Sequence, residues 1–194
     1  MKMSRFEKRF VNAVDHSRRV AQSAERRLPV VPYGSRLTDL DVGCGNGMTA
    51  IHLATACRFD VTGIDMDPEQ IRLAQRAAEN RADIRFRVAD ATRLPFDDAT
   101  FDIVATNKTT HHIPAWKTAI AEMVRVLRPG GHFIYRDLVL PPRLARLGRS
   151  VAGGLAGFVV RAELTDYIRE LGMTVVREVP HLASYDVVWR KPTA

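Results

Sequence analysis

Three glycines spaced two apart, an aspartate eighteen positions further on and a pair of adjacent histidines are the residues of this sequence best suited to chemistry. Gly43, Gly45 and Gly47 close the stretch LDVGCGNG, where the absent side chains allow a sharp turn and let a ligand approach the backbone. Amides opening a helix directly after such a turn favour an electron-rich partner. Asp65 is placed to accept two hydrogen bonds from a ribose diol, and Asp90, in VADATRLPF, to meet an adenine edge with its carboxylate or neighbouring amides. His111 and His112 follow Asn107 by four and five positions. A histidine titrates near neutrality and suits a general base, while packing or capping at a helix entrance is the plainer alternative for both. Tyr135, Arg136 and Asp137 form a second candidate group, of which strand alternation can turn only Tyr135 and Asp137 to the same side.

These residues need a scaffold that gathers them, and the hydrophobic pattern supplies one. Apolar runs at 37–42, 59–64, 84–89, 101–106 and 132–138 read as strands, each bounded by Gly, Pro, Asp or Asn. Between them lie helical patterns. One spans 67–81, with Asp67 as cap, Pro68 at the first position and Gln70 completing a capping box; another opens at Pro114 and ends at Pro129-Gly130-Gly131. A helix over 163–171 and two β-rich runs, 173–179 and 184–190, close the chain as an antiparallel hairpin. The expected fold is therefore α/β: a Rossmann-like, doubly wound, mostly parallel seven-stranded sheet with helices on both faces. In that arrangement four consecutive strands deliver Asp41 with its glycines, Asp65, Asp90 and Asn107 to one carboxyl edge, where open α/β sheets bind ligands.

The chain of 194 residues reads as one core over 36–194, preceded by a basic helical cap over 1–35 and interrupted at 139–161 by a glycine-rich insertion expected to be mobile over the site. The net charge of +7 is concentrated: residues 1–36 carry nine basic side chains against three acidic ones, and 136–161 five against one. Such a surface suits solubility or attraction of an anionic or amphipathic partner. Two cysteines, one in the glycine turn, do not make a disulfide framework. With no apolar leader and no run near the ~20 residues of a membrane span, a cytoplasmic protein without a transmembrane segment is expected.

The motifs together resemble the class I S-adenosylmethionine-dependent methyltransferases, in particular their ubiquinone/menaquinone-biosynthesis-like, type 11 subgroup. LDVGCGNG is similar to the first motif of that family, GIDMDPEQIRLA to the second, VADATRLPFDDATFDIV to the third and fourth, and RVLRPGGHFIYRDL to the fifth. The resemblance implies S-adenosyl-L-methionine as methyl donor and S-adenosyl-L-homocysteine as product. It implies that Asp41, Gly43, Cys44, Gly45, Asn46 and Gly47 line the methionine moiety and that Asp65 binds the ribose. Met66 would pack on adenine, Asp90 and Ala91 would bind its edge, and Asn107 would stand near the transferred methyl. The sulfonium is a good electrophile by itself, so alignment is the main task, with His111 or His112 as base for acceptors that need one.

The sequence departs from the family after the fourth strand, where NKTTHH makes the pocket more polar than usual. No Asn-Pro-Pro-Tyr-like signature follows, which argues against methylation of base or amide nitrogens. A small-molecule acceptor, phenolic, quinone-like or another metabolite, and no metal are expected; two cysteines also fit thiol-dependent metalloid methylation poorly. A nicotinamide oxidoreductase shares the strand, turn and acid, but its fingerprint needs a third glycine three positions after the second, where this chain has Met48. RNA or protein methylation remains the alternative suggested by the basic arm, although Phe6 and Phe10 sit at core-like spacing rather than as exposed stacking platforms. A protein that holds the cofactor without turnover is the third reading.

Overall fold

In the first strand, β1 (Thr38–Val42), apolar and acidic residues alternate. Leu40 and Val42 enter one apolar cluster, which leaves Asp39 and Asp41 on the opposite face. This computed structural model describes residues 36–79, 81–140, 159–181 and 184–193. The following elements are α1 (Met48–Ala56), β2 (Asp60–Asp65), α2 (Pro68–Ala77), β3 (Ile84–Val88), β4 (Phe101–Asn107), α3 (Trp116–Val126), β5 (Leu127–Leu140), β6 (Val159–Val160), α4 (Arg161–Glu170), β7 (Thr174–Pro180) and β8 (Ser184–Arg190).

The sheet runs β3-β2-β1-β4-β5-β8-β7. β1 pairs in parallel with both β2 and β4, so the strand order reverses between β1 and β4. That is the switch point where the loops of a doubly wound sheet diverge and leave a crevice. Helices α1 and α2 bury Ala50, Leu53, Ile71 and Ala74 in one cluster. Helices α3 and α4 bury Ile120, Met123, Leu164 and Ile168 in the other, so both faces are covered. β7 and β8 form the expected antiparallel hairpin, whose β8 pairs antiparallel with β5, with Tyr185 and Trp189 fully buried.

Several boundaries differ from the sequence expectation. α3 begins two residues after Pro114 and ends at Val126, and Pro129-Gly130-Gly131 lies inside β5. The carbonyls at the end of this helix need no glycine cap because Lys191 Nζ donates to Val124 O (2.8 Å) and Leu127 O (2.7 Å). Gly131 serves close packing instead: a Cβ there would lie 2.8 Å from the carbonyl oxygen of Asp102. α2 stops at Ala77. Asp67 does cap α2, accepting from the Glu69 amide at 3.0 Å, but Gln70 forms no capping box. Off the seven-strand path, the two-residue strand β6 pairs with Val139 and Leu140 of β5. The ends of the 139–161 segment thus belong to β5, β6 and α4, while 141–158 and the cap over 1–35 lie outside the described residues.

Candidate active site

The glycine turn leaves β1 with Gly43, Gly45 and Gly47 all at positive φ. Two of these positions are closed to any side chain. A Cβ on Gly43 would stand 2.2 Å from Thr109 Oγ1, and one on Gly47 would stand 2.6 Å from the Phe86 ring. Gly45 faces more open space, its nearest neighbour being Gln70 Oε1 at 3.8 Å. Asp65, the last residue of β2, braces the turn: Oδ2 accepts the Gly45 amide (3.0 Å) and Oδ1 the Asp67 amide (2.9 Å).

Around this turn lie buried polar atoms without a hydrogen-bond partner among the described residues. They are Asp41 Oδ2, Asn107 Oδ1 and both polar side-chain atoms of Gln70. Burial, with the charge of Asp65 as a lesser contribution, pushes Asp41 up to about 7. The Cys44 thiol is also pushed up by burial, then by Asp41 and Asp65, which keeps it protonated and makes it part of the wall rather than a nucleophile. Orphaned buried polar groups are rare and mark a place where a ligand completes the hydrogen bonding. An amino acid headgroup and a ribose supply donors of the required kind, so Asp41, Gln70, Asp65 and Asn107 fit a nucleoside-linked amino acid.

The surface beside Asp65 is more open. Met66 is 52% exposed and Val88, paired in register with Asp65, is 48% exposed. Ala91 is buried. Asp90 does not end the third strand: β3 stops at Val88, and Asp90 stands in the loop beyond it. There its Oδ1 accepts the amide and hydroxyl of Thr92, each at 2.8 Å, because a turn aspartate satisfies its own backbone first. Asn46 Oδ1 accepts the Met48 amide at 3.4 Å as α1 begins.

On the other side of the switch point, β4 ends at Asn107 and Lys108 adopts φ 53°, an uncommon conformation for a side chain with a Cβ. The turn brings Thr109 against Gly43 and leads into a short 3-10 turn, Thr110–His112. This segment wraps around Asp137 of β5, which is wholly buried. Asp137 Oδ2 accepts the amides of Thr109 (3.0 Å), Thr110 (2.6 Å) and His111 (3.4 Å) and the Thr110 hydroxyl (2.6 Å). Its Oδ1 accepts the Leu138 amide at 2.7 Å and contacts His111 Nδ1 at 2.5 Å. A carboxylate accepts only, so Nδ1 carries the proton of this bond and Nε2 is the unprotonated nitrogen of a neutral ring. The His111 side chain keeps 13% of its surface open, and the His112 ring lies 3.9 Å from it, centroid to centroid.

Of the expected site residues, the structure gathers Asp41, the glycine turn, Asp65, Met66 and Asn107 on the carboxyl edge, and it sets His111 there through Thr109. Sequence reasoning assigned no site role to Gln70 or Val88 and saw Thr109 and Thr110 only as added polarity. Their signal was present, a glutamine on the apolar stripe of α2 and a hydroxyl pair before a histidine, but it required the partner strands to be read.

Residues 40–135 match the family profile described as a methyltransferase domain. Over 149 residues the chain is 40% identical to a 27-O-demethylrifamycin SV methyltransferase of Amycolatopsis mediterranei, covering 72% of this chain and 54% of that one. It is also 40% identical over 99 residues to a fatty-acid O-methyltransferase of Mycolicibacterium smegmatis, covering 50% and 36%. The chain thus spans about half or less of the length of these curated relatives. Among solved structures, a SAM dependent methyltransferase from Aquifex aeolicus superposes with a TM-score of 0.75 at 18% identity, covering 97% of this chain and 99% of the other. The glycine turn, the acids that follow it and these matches agree: the chain belongs to the methyltransferase-domain family, in the type 11 branch of the class I S-adenosylmethionine-dependent methyltransferases.

Proposed function

We propose that this chain transfers a methyl group from S-adenosyl-L-methionine to a hydroxyl oxygen of a small-molecule acceptor, with His111 taking the hydroxyl proton. The observation that carries the reading is the 2.5 Å contact between His111 Nδ1 and buried Asp137, set beside the glycine turn by Thr109. An alcohol or phenol is a poor nucleophile until its proton is removed, which is the task of a base held in one tautomer. Both relatives described above carry names that specify an oxygen position or an O-methyl product.

The cofactor, when bound, supplies the electrophilic methyl. Asp41, Asn107 and the amides of Gly43–Gly47 would hold its amino acid end, Asp65 and Gln70 its ribose, and Met66, Val88, Asp90 and Ala91 its adenine. His111 then receives the acceptor proton at Nε2, and Asp137 stabilises the resulting imidazolium at Nδ1. No helix among the described residues is long and apolar enough to cross a membrane.

The test is an acceptor screen with S-adenosylmethionine, covering phenols, quinol precursors, hydroxylated polyketides and fatty acids, read by product mass and by the methylated atom. An oxygen-methylated product, lost by ~10²–10⁴-fold in His111→Ala with cofactor affinity unchanged, supports the reading. Methyl transfer to nitrogen or carbon, or a His111→Ala variant of full activity, overturns it.

A further inference from the structure

Beyond the His111–Asp137 pair lie two buried hydroxyls that a proton-abstracting base does not itself require. Tyr135, fully buried on β5, places its hydroxyl 2.7 Å from Thr110 Oγ1, and Thr110 Oγ1 lies 2.6 Å from Asp137 Oδ2. A threonine hydroxyl has one proton. The carboxylate of Asp137 can only accept, so that proton is committed to Asp137 and the Tyr135 hydroxyl must donate to Thr110. The chain is therefore directional: Tyr135 to Thr110 to Asp137, with His111 on the far carboxylate oxygen.

We infer that Tyr135 and Thr110 are positioning residues of the reaction, which pin Asp137 Oδ2 so that Oδ1 presents to His111 Nδ1 and fixes the tautomer. This rests on the reading of His111 as the base. The register supports it: β4 and β5 pair Thr106 with Tyr135 and Asn107 with Arg136, so the next inward residue is Asp137 and the turn after Asn107 must pass over both. Thr110 is fully buried, and its amide and hydroxyl both reach the same oxygen, a double contact that leaves the carboxylate little rotation. Burial pushes the Tyr135 phenol well above its usual range, and the nearby charge of Asp137 adds to this while the Thr110 bond opposes it. Linked hydrogen bonds of this kind polarise one another in a dry interior, so loss at the outer end is felt at the inner one.

The inference is read by proton magnetic resonance of the His111 Nδ1–H in the cofactor-free protein, which requires no turnover, together with acceptor kinetics. Thr110→Val should shift or broaden that resonance and lower kcat by about 10- to 100-fold, the weight of a bond to a charged group, with the cofactor dissociation constant unchanged. Thr110→Ser should restore both signals. Tyr135→Phe should move the resonance in the same direction by less and lower kcat by a few-fold. If the resonance and kcat are unmoved in a folded Tyr135→Phe and in Thr110→Val, the chain of hydroxyls is packing alone and the inference fails. If His111→Ala retains full activity while the resonance still responds to Thr110, the hydroxyl chain stands and it is the assignment of His111 as base that fails.

Discussion

Asp41 of β1 and Asp137 of β5 are both buried acids on strands that flank β4, yet they are treated in opposite ways. Asp137 receives donors on both oxygens from the turn that wraps it, while Asp41 leaves one oxygen buried without a partner. A charge enclosed by fixed donors is a finished device whose job is to hold something else, here an imidazole. A buried acid short of donors is an unfinished one, stable only because the rest of the fold tolerates it, and it gains when a ligand completes it. The difference separates a region built before binding from one completed by binding.

The largest effect expected from this contrast is at Asp137. Asp137→Asn keeps the shape but presents an amide where only an acceptor fits, which releases the His111 tautomer. Turnover should fall by roughly 10³–10⁴-fold, as when a triad aspartate is replaced. The check is single-turnover methyl transfer at saturating cofactor; a loss below tenfold would place the base elsewhere.

Next comes Asp65, which ends β2 and braces the glycine turn through the Gly45 and Asp67 amides. Asp65→Ala should weaken S-adenosylhomocysteine by ~1.5–3 kcal/mol in calorimetry. An unchanged dissociation constant would reduce Asp65 to a turn brace.

Asp41 gives the contrast a pH signature. Its affinity for a proton is raised to about 7 by burial first and by Asp65 second, and a cationic ligand beside it would favour the carboxylate. Cofactor binding should therefore expel a proton below pH 7, and affinity should fall with pH there by up to about tenfold per unit. Above pH 7 it should level off. Calorimetry in buffers of different ionisation enthalpy would count the proton, and Asp41→Asn should flatten the profile.

The smallest effect concerns Asp39, which lies two residues before Asp41 and has neither carboxylate oxygen hydrogen-bonded. Burial, then Asp41, raises its proton affinity well above the ordinary value of 3.8. The folded protein binds this proton more tightly than the unfolded chain, so stability is whole below 3.8 and is lost as pH rises toward the folded value. Asp39→Val should then stabilise by about 1–3 kcal/mol near neutrality, with the gain vanishing near pH 4. Thermal unfolding across that range reads it directly.

How much of this was legible in the sequence divides along the same line. The glycine turn, Asp41 and Asp65 sit in contiguous motifs whose strand, turn and helix signals are local, so both their fold and their edge could be read from spacing, whereas Met66 entered only through the family resemblance. Asp90 could be placed only to within two residues, because strand ends are set by pairing rather than by composition. The His111–Asp137 pair is separated by 26 positions and joined by the register of β4 on β5. Alternation alone put Tyr135 and Asp137 on one side without saying that Thr110 would meet both. Gln70 was misread for a physical reason: its position three after Asp67 matches a capping box, but packing drew its side chain toward Gly45.

The most direct test of the division between the two regions is a crossed measurement on Asp65→Ala and Asp137→Asn. Calorimetry gives the S-adenosylhomocysteine dissociation constant, and single-turnover kinetics at saturating cofactor gives the methyl-transfer rate. Asp65→Ala should weaken binding while the saturated rate stays within a few-fold, and Asp137→Asn should abolish most of the rate while binding stays put. If either variant loses binding and rate in equal measure, the two regions form one undivided site and the account is wrong.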